Sequence, residues 1–199
     1  MPRMKIMFLP GAGGSADFWR PLAKALRVDG EFCAWPGLGD EPPAAGIASL
    51  DDLTAMVLAR IDGPTAILAQ SMGGVVALRA ALAAPGHVKK LVLAATSGGV
   101  PVANLGAEDW RPAYFAAFPS AARWIGAPAP DLSTEVTRVS APSLLLWGDA
   151  DPISPPAVGR RLQALLPRSR LEIIHGADHD LVRTHVPAVA KLIARHLAD

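Results

Sequence analysis

Residues 64–82, PTAILAQSMGGVVALRAAL, hold a complete structural switch. A short apolar run ends at Ala69, a serine stands at position 71, two glycines follow, and an apolar pattern of helical spacing begins. This is the sequence of a strand, a very tight turn and a helix, with a hydroxyl at the apex of the turn. A nucleophile elbow needs that arrangement. The strained corner exposes the serine oxygen at the carboxyl end of a sheet, and the N–H of the next residue is left to stabilise an oxyanion. The small residues Ala69, Gly73 and Gly74 let strand and helix backbones approach closely, and glycine tolerates unusual torsions. The usual pattern is G-x-S-x-G; here Ala69 takes the first position and keeps the small side chain.

Strands and helices alternate on either side of this corner. MKIMFL (4–9), EFCAW (31–35), TAILA (65–69), VKKLVLAAT (88–96), SLLLWG (143–148) and RLEIIHG (170–176) read as six strands. Helices are expected around WRPLAKAL (19–26), SLDDLTAMVLARI (49–61), MGGVVALRAALAA (72–84), PPAVGRRLQALLP (155–167) and VPAVAKLIARHL (186–197). Ser49 is placed to cap the second of these, with Asp51 and Asp52 in its first turn. Strands joined by helices mean parallel β-α-β units, so the class is α/β. Residues 97–140 break the rhythm. They hold scattered proline and five of the eleven aromatics, Trp110, Tyr114, Phe115, Phe118 and Trp124, and read as an insertion lying over the carboxyl edge of the sheet. Nothing else divides the chain, and one domain over 1–199 is expected.

Composition narrows the function classes. A hydrophobic fraction of 51% excludes disorder, and a net charge of +1 without a basic run speaks against nucleic acid. Cys33 is the only cysteine, which excludes an intrachain disulfide and a cysteine-rich metal site. No run approaches the roughly 18 apolar residues of a membrane helix, and IMFL (6–9) is too short for a signal segment. A soluble, cytoplasmic protein is expected. The glycines at 11, 13 and 14 do not make a dinucleotide loop: G-x-G-G lacks the last glycine of that motif, and EFCAW ends in Trp35, not in an acid.

A serine hydroxyl is a poor nucleophile until an imidazole takes its proton, and the imidazole needs a carboxylate to orient it. Both partners follow Ser71. Gly148, Asp149 and Asp151 come directly after one strand, and His175 and His179 lie around the end of the next. With these residues in the order serine, acid, histidine, the chain resembles the α/β-hydrolase superfamily over nearly its whole length.

The resemblance implies roles position by position. The family's acid sits in a G-x-x-D-P pattern, matched by Gly148 to Pro152, so Asp151 is the implied acid and Asp149 a loop neighbour. Its histidine follows G-x-x-H, matched by Gly176 to His179, so His179 is the implied base and His175 is structural. LPGAGGSADFW resembles the first oxyanion loop, with Pro10 where histidine is usual, and implies an oxyanion hole from the N–H groups of Ala12 and Met72. Many relatives carry two further N-terminal strands, whereas this oxyanion strand begins almost at Met1. A minimal α/β-hydrolase fold is therefore expected: a mostly parallel sheet of about six strands, helices on both faces and a short lid. The spacing from LPGAGG through PGLGD to AQSMGG is similar to small carboxylesterases, including pimeloyl methyl ester esterases.

The activity implied is hydrolysis of a small-molecule ester or acyl compound through an acyl-enzyme, with no cofactor and no metal. Carbon–carbon bond hydrolysis or a lyase reaction by the same three residues is the alternative within enzymes. A catalytically weak ligand-binding homologue is the alternative outside them. A dehalogenase would need a carboxylate where Ser71 stands. A metal site from His175, Asp178, His179 and Asp180 matches no standard spacing. The aromatics of 97–140 are the candidate walls of an acyl pocket.

Overall fold

A computed structural model describes residues 4–199; residues 1–3 of the expected domain lie outside the described residues. Six strands form one sheet: β1 (Lys5–Leu9), β2 (Glu31–Phe32), β3 (Thr65–Gln70), β4 (Val88–Ala94), β5 (Ser143–Gly148) and β6 (Ser169–Ile174). Their order is β2-β1-β3-β4-β5-β6 and every pairing is parallel. The helices are α1 (Arg20–Leu26), α2 (Leu50–Leu58), α3 (Met72–Ala83), α4 (Arg111–Ala117), α5 (Pro156–Leu165), α6 (Leu181–Thr184) and α7 (Val186–Ala198). None of them is long and apolar enough to cross a membrane.

The strand side chains split by the period of two into a core on each face. Met7, Leu9, Ile67, Ala69, Leu91, Leu93, Leu145 and Trp147 pack with α2, α3 and α5. Phe8, Ala66, Leu68, Val92, Ala94, Leu144 and Leu146 pack with α1 and α7 through Trp19, Leu22, Val189 and Ile193. Burial on both faces is why the central strands are continuously apolar instead of alternating.

Several boundaries differ from the sequence reading. EFCAW pairs only at Met7–Glu31 and Phe8–Phe32, with Cys33 still donating its N–H to the Phe8 carbonyl at 2.9 Å. Beyond that the chain turns inward, the Trp35 N–H bonds the Gly14 carbonyl at 2.9 Å, and the indole is fully buried. Residues 97–140 contain no strand, as expected, but they do hold α4 and two short 3-10 turns at Arg123–Gly126 and Glu135–Arg138. Pro112 sits in the first turn of α4, one residue after its start at Arg111, where proline's missing N–H is tolerated, so a residue that reads as a breaker lies inside the helix.

The chain leaves β1 towards β2 and then returns past β1 to β3, after which every strand is added on the far side. The carboxyl ends of β1 and β3 are thus the switch point of the sheet, where the connecting segments diverge and leave a crevice.

Candidate active site

Ser71 stands at that switch point, one residue beyond β3. Its backbone has φ 52° and ψ −125°, a region that L residues avoid. The corner is held from both sides: the Ser71 N–H donates to the Ala94 carbonyl and its own carbonyl accepts from the Gly74 N–H, each at 2.9 Å. A methyl group on Gly73 would strike the Pro10 carbonyl and lie 2.9 Å from that of Leu9, so the first turn of α3 rests directly on the loop after β1. Gly11 of that loop passes Ser71 equally closely, since a methyl there would sit 3.1 Å from Ser71 Cβ and strike the Gln70 amide. Ala69, the departure from the usual pattern, points its side chain into the apolar core under α2 and α3, where a methyl is accommodated.

Asp151 follows β5 with its side chain at 0% exposure. Oδ1 accepts the N–H groups of Ile153 at 2.8 Å and Ser154 at 2.9 Å, and Oδ2 lies 2.8 Å from His179 Nδ1. Ser154 in turn accepts the Trp147 indole N–H at 3.1 Å. Three donors offset the desolvation of a carboxylate that would otherwise be costly to bury. Asp151 does not cap α5, whose N-cap is Pro155. On the other side of the ring, His179 Nε2 is 3.0 Å from Ser71 Oγ. The Gln70 amide donates to the His179 carbonyl at 3.2 Å, tying the histidine loop to the residue before Ser71.

Asp149 and His175 form a second, outer pair. Asp149 Oδ2 lies 2.7 Å from His175 Nδ1 and Oδ1 accepts the Gly176 N–H at 2.6 Å. The hydrogen bond with His175, then that from Gly176, holds the Asp149 carboxyl below its ordinary value. The His175 side chain is 99% exposed, so this pair closes the loop without facing Ser71. Asp178 bonds the Asp180 N–H at 3.0 Å. Among the described residues no group of three or more His, Cys, Asp or Glu side chains is placed to hold a metal ion.

The loop after β1 has its carbonyls gripped one by one. Trp19 Nε1–H donates to the Leu9 carbonyl at 2.9 Å, and Trp35 Nε1–H to that of Pro10 at 2.8 Å. The Gly14 N–H donates to the Gly11 carbonyl at 3.0 Å, and the Tyr114 hydroxyl to that of Ala12 at 2.9 Å. With the carbonyls committed, the N–H groups of Ala12 and of Met72, at the first position of α3, have no acceptor among the described residues. Trp35 thus steadies the loop at the residue where the family's histidine is replaced by Pro10.

The candidate pocket residues fall into two groups. Trp110, Tyr114, Phe115 and Phe118 cluster along α4, with Tyr114 in edge or tilted contact with the other three at 5.2–5.4 Å between ring centroids. Trp124 instead lines a cavity of about 330 Å³ with Asp51 and Arg79, and a second cavity of about 480 Å³ lies between Gly37–Pro43 and Ala122. Neither is lined by Ser71 or His179. Gln70, Trp19 and Trp35 were not among the sequence candidates; each acts through one bond to a backbone carbonyl far along the chain, which leaves no local pattern.

A parallel α/β sheet with a serine at its switch point defines the class, and comparison with known proteins fixes the family. The family model described as the alpha/beta hydrolase family matches residues 6–136, so the chain belongs to the alpha/beta hydrolase family; a second, described as TAP-like protein, matches 110–199. The chain is 30% identical over 98% of its length to polyketide synthase ThaQ of Burkholderia thailandensis, of which it spans only 12%. It is 29% identical over 94% of its length to the pimeloyl-[acyl-carrier protein] methyl ester esterase of Neisseria meningitidis serogroup B (strain H44/76), covering 90% of that protein. Among solved structures, the meta-cleavage product hydrolase CumD of Pseudomonas fluorescens superposes with a TM-score of 0.78 at 16% identity, over 98% of this chain and 91% of that one. Family membership and the esterase relatives together support a hydrolase.

Proposed function

We propose that this chain is a cofactor-free serine hydrolase that cleaves a carboxylic ester or a related acyl compound through Ser71, His179 and Asp151. The observation that carries the reading is the unbroken line of contacts from Asp151 Oδ2 to His179 Nδ1 at 2.8 Å, and from His179 Nε2 to Ser71 Oγ at 3.0 Å. The buried carboxylate accepts the Nδ1–H, which fixes the tautomer and leaves Nε2 as the acceptor for the serine proton. Ser71 Oγ attacks the acyl carbon as that proton passes to His179. The carbonyl oxygen becomes an oxyanion held by the Ala12 and Met72 N–H groups, and Asp151 stabilises the imidazolium. His179 then protonates the departing alkoxide. Water, deprotonated by the same nitrogen, attacks the acyl-enzyme, the carboxylic acid leaves, and the proton returns to Ser71.

Residues 97–140 act as a short lid on one domain that takes in the whole sheet. Tyr114 brings α4 to the oxyanion loop, which supports the aromatic side chains around that helix as the apolar wall for the acyl group. The esterase relatives support an ester as the substrate class. Turnover of short-chain nitrophenyl esters by the wild type and by Ser71→Ala is the test. The variant should lose on the order of 10⁴–10⁶ in kcat, because nucleophile and base act as a unit. Undiminished turnover would refute the assignment.

A further inference from the structure

We propose that Tyr114 is a positioning residue for the oxyanion loop, so that docking of the lid helix and competence of the oxyanion hole are a single event. This rests on the serine-hydrolase reading above.

The loop Pro10–Gly14 has three glycines in five residues and therefore little torsional preference of its own. Its donor is only as well aimed as the peptide planes on either side of Ala12. The plane between Gly11 and Ala12 is fixed by the Gly14 N–H on the Gly11 carbonyl at 3.0 Å. The plane between Ala12 and Gly13 is fixed by the Tyr114 hydroxyl on the Ala12 carbonyl at 2.9 Å. Of the four carbonyl grips on residues 9–12, those from Trp19, Trp35 and Gly14 come from chain preceding β3. The one at Ala12 comes from 102 residues away, on a seven-residue helix in the lid.

The same hydroxyl accepts the Gly39 N–H at 2.9 Å. Gly39 belongs to the turn that leads away from Trp35, whose own N–H bonds the Gly14 carbonyl. Tyr114 therefore spans two glycine-rich turns with one oxygen, donating to one and accepting from the other. The lid meets that turn a second time, where the Ala122 N–H donates to the Gly37 carbonyl at 2.8 Å. The phenol is almost fully buried, and burial raises its ionisation above the ordinary value, which keeps the proton that the Ala12 carbonyl needs. When the lid lifts, the Ala12–Gly13 peptide loses its partner and is free to rotate about the torsions of Ala12 and Gly13. When the lid docks, the hole is set.

Tyr114→Phe keeps the ring and its aromatic contacts and deletes only the oxygen. Nitrophenyl ester turnover, counted per serine labelled by a fluorophosphonate, is expected to fall about 10- to 100-fold in kcat, because displacing a donor or substrate by about an ångström carries penalties of that order. KM should stay within about twofold, since the hole is used in the transition state more than in the ground state. A boronic acid that forms a tetrahedral adduct with Ser71 should weaken by about the same factor as kcat, at a thermal midpoint within a few degrees of wild type. A kcat within twofold of wild type, or a KM rise at unchanged kcat, overturns the proposal. So does an unchanged boronate affinity beside a reduced kcat. Ser71→Ala is run alongside. If it is inactive while Tyr114→Phe matches wild type, the reaction stands and only this role falls; if it remains active, both fall.

Discussion

Replacing Ser71 by alanine and by glycine removes the same hydroxyl and the same 3.0 Å contact with His179, yet the two variants should differ in stability against the usual order. Within a strand or helix, glycine is less stable than alanine by about 0.5–1 kcal/mol, because the unfolded chain has more freedom to lose. Position 71 reverses the comparison. At φ 52° and ψ −125° a Cβ is strained, and residues held in such regions carry about 1–3 kcal/mol of cost. Glycine removes that strain and keeps its entropic penalty, so about 1 kcal/mol should remain in its favour. In a chain of 199 residues this corresponds to a midpoint about 2–4 °C higher than that of Ser71→Ala. Urea unfolding followed by tryptophan fluorescence is suited to the measurement, since Trp19, Trp35 and Trp147 are fully buried. The slopes must agree for the midpoints to be compared. If Ser71→Gly proves less stable than Ser71→Ala, the corner is not strained as described, and the account of why a serine is held there fails.

The two acid–histidine pairs should separate cleanly in kinetics. Asp149→Asn and His175→Ala should leave ester turnover within about threefold, while Asp151→Asn should lower kcat by about 10³–10⁴ through the wrong histidine tautomer; comparable losses from both pairs would contradict the pairing. His196 is nearly buried, and burial first, then the neighbouring Lys90, hold it below its ordinary 6.5. The unfolded chain then binds the proton more readily. The stabilising contribution of neutral His196 is therefore complete above about pH 6.5 and is lost as pH falls below that value. Urea midpoints between pH 7.5 and 5 should fall less steeply for His196→Gln than for wild type, and parallel curves would refute this.

What could be read from the sequence is what local order encodes. The change from an apolar run to helical spacing around Ser71, and the acids and histidines that each follow a strand, lie within a few residues and survive as text, while the choice of Asp151 and His179 among them comes from the family resemblance. EFCAW reads as a short five-residue strand, but pairing ends at Phe32, because the chain turns to bury Trp35 under Pro10. Tyr114 was legible only as an aromatic in the lid. Its hydroxyl acts across 102 residues, as the Gln70 amide acts across 109, and a single long-range bond imposes no period on either segment.

The choice between the two histidines has a geometric cause that local pattern does not supply. Ser71 follows β3 and both histidines follow β6, three strand spacings away, about 14 Å at 4.7–4.9 Å per step. His175 is the first residue beyond β6, so it meets the loop of the adjacent strand, and its partner is Asp149, the first residue beyond β5. His179 comes five residues after Ile174, past a turn in which the Ala177 N–H bonds the Ile174 carbonyl at 3.3 Å, and this turn sends the following residues back over β5 towards Ser71. Asp151 lies two residues beyond Asp149 and advances to meet it. Gln70 then catches the His179 carbonyl at the far end of the reach. The strand skipped in this sequence of loops is β4, and residues 97–140 leave the sheet from it, between Ser71 and Asp151. Residues 97–140 are therefore rooted in the gap that the histidine loop crosses, where a single tyrosine on a short helix touches the loop after β1.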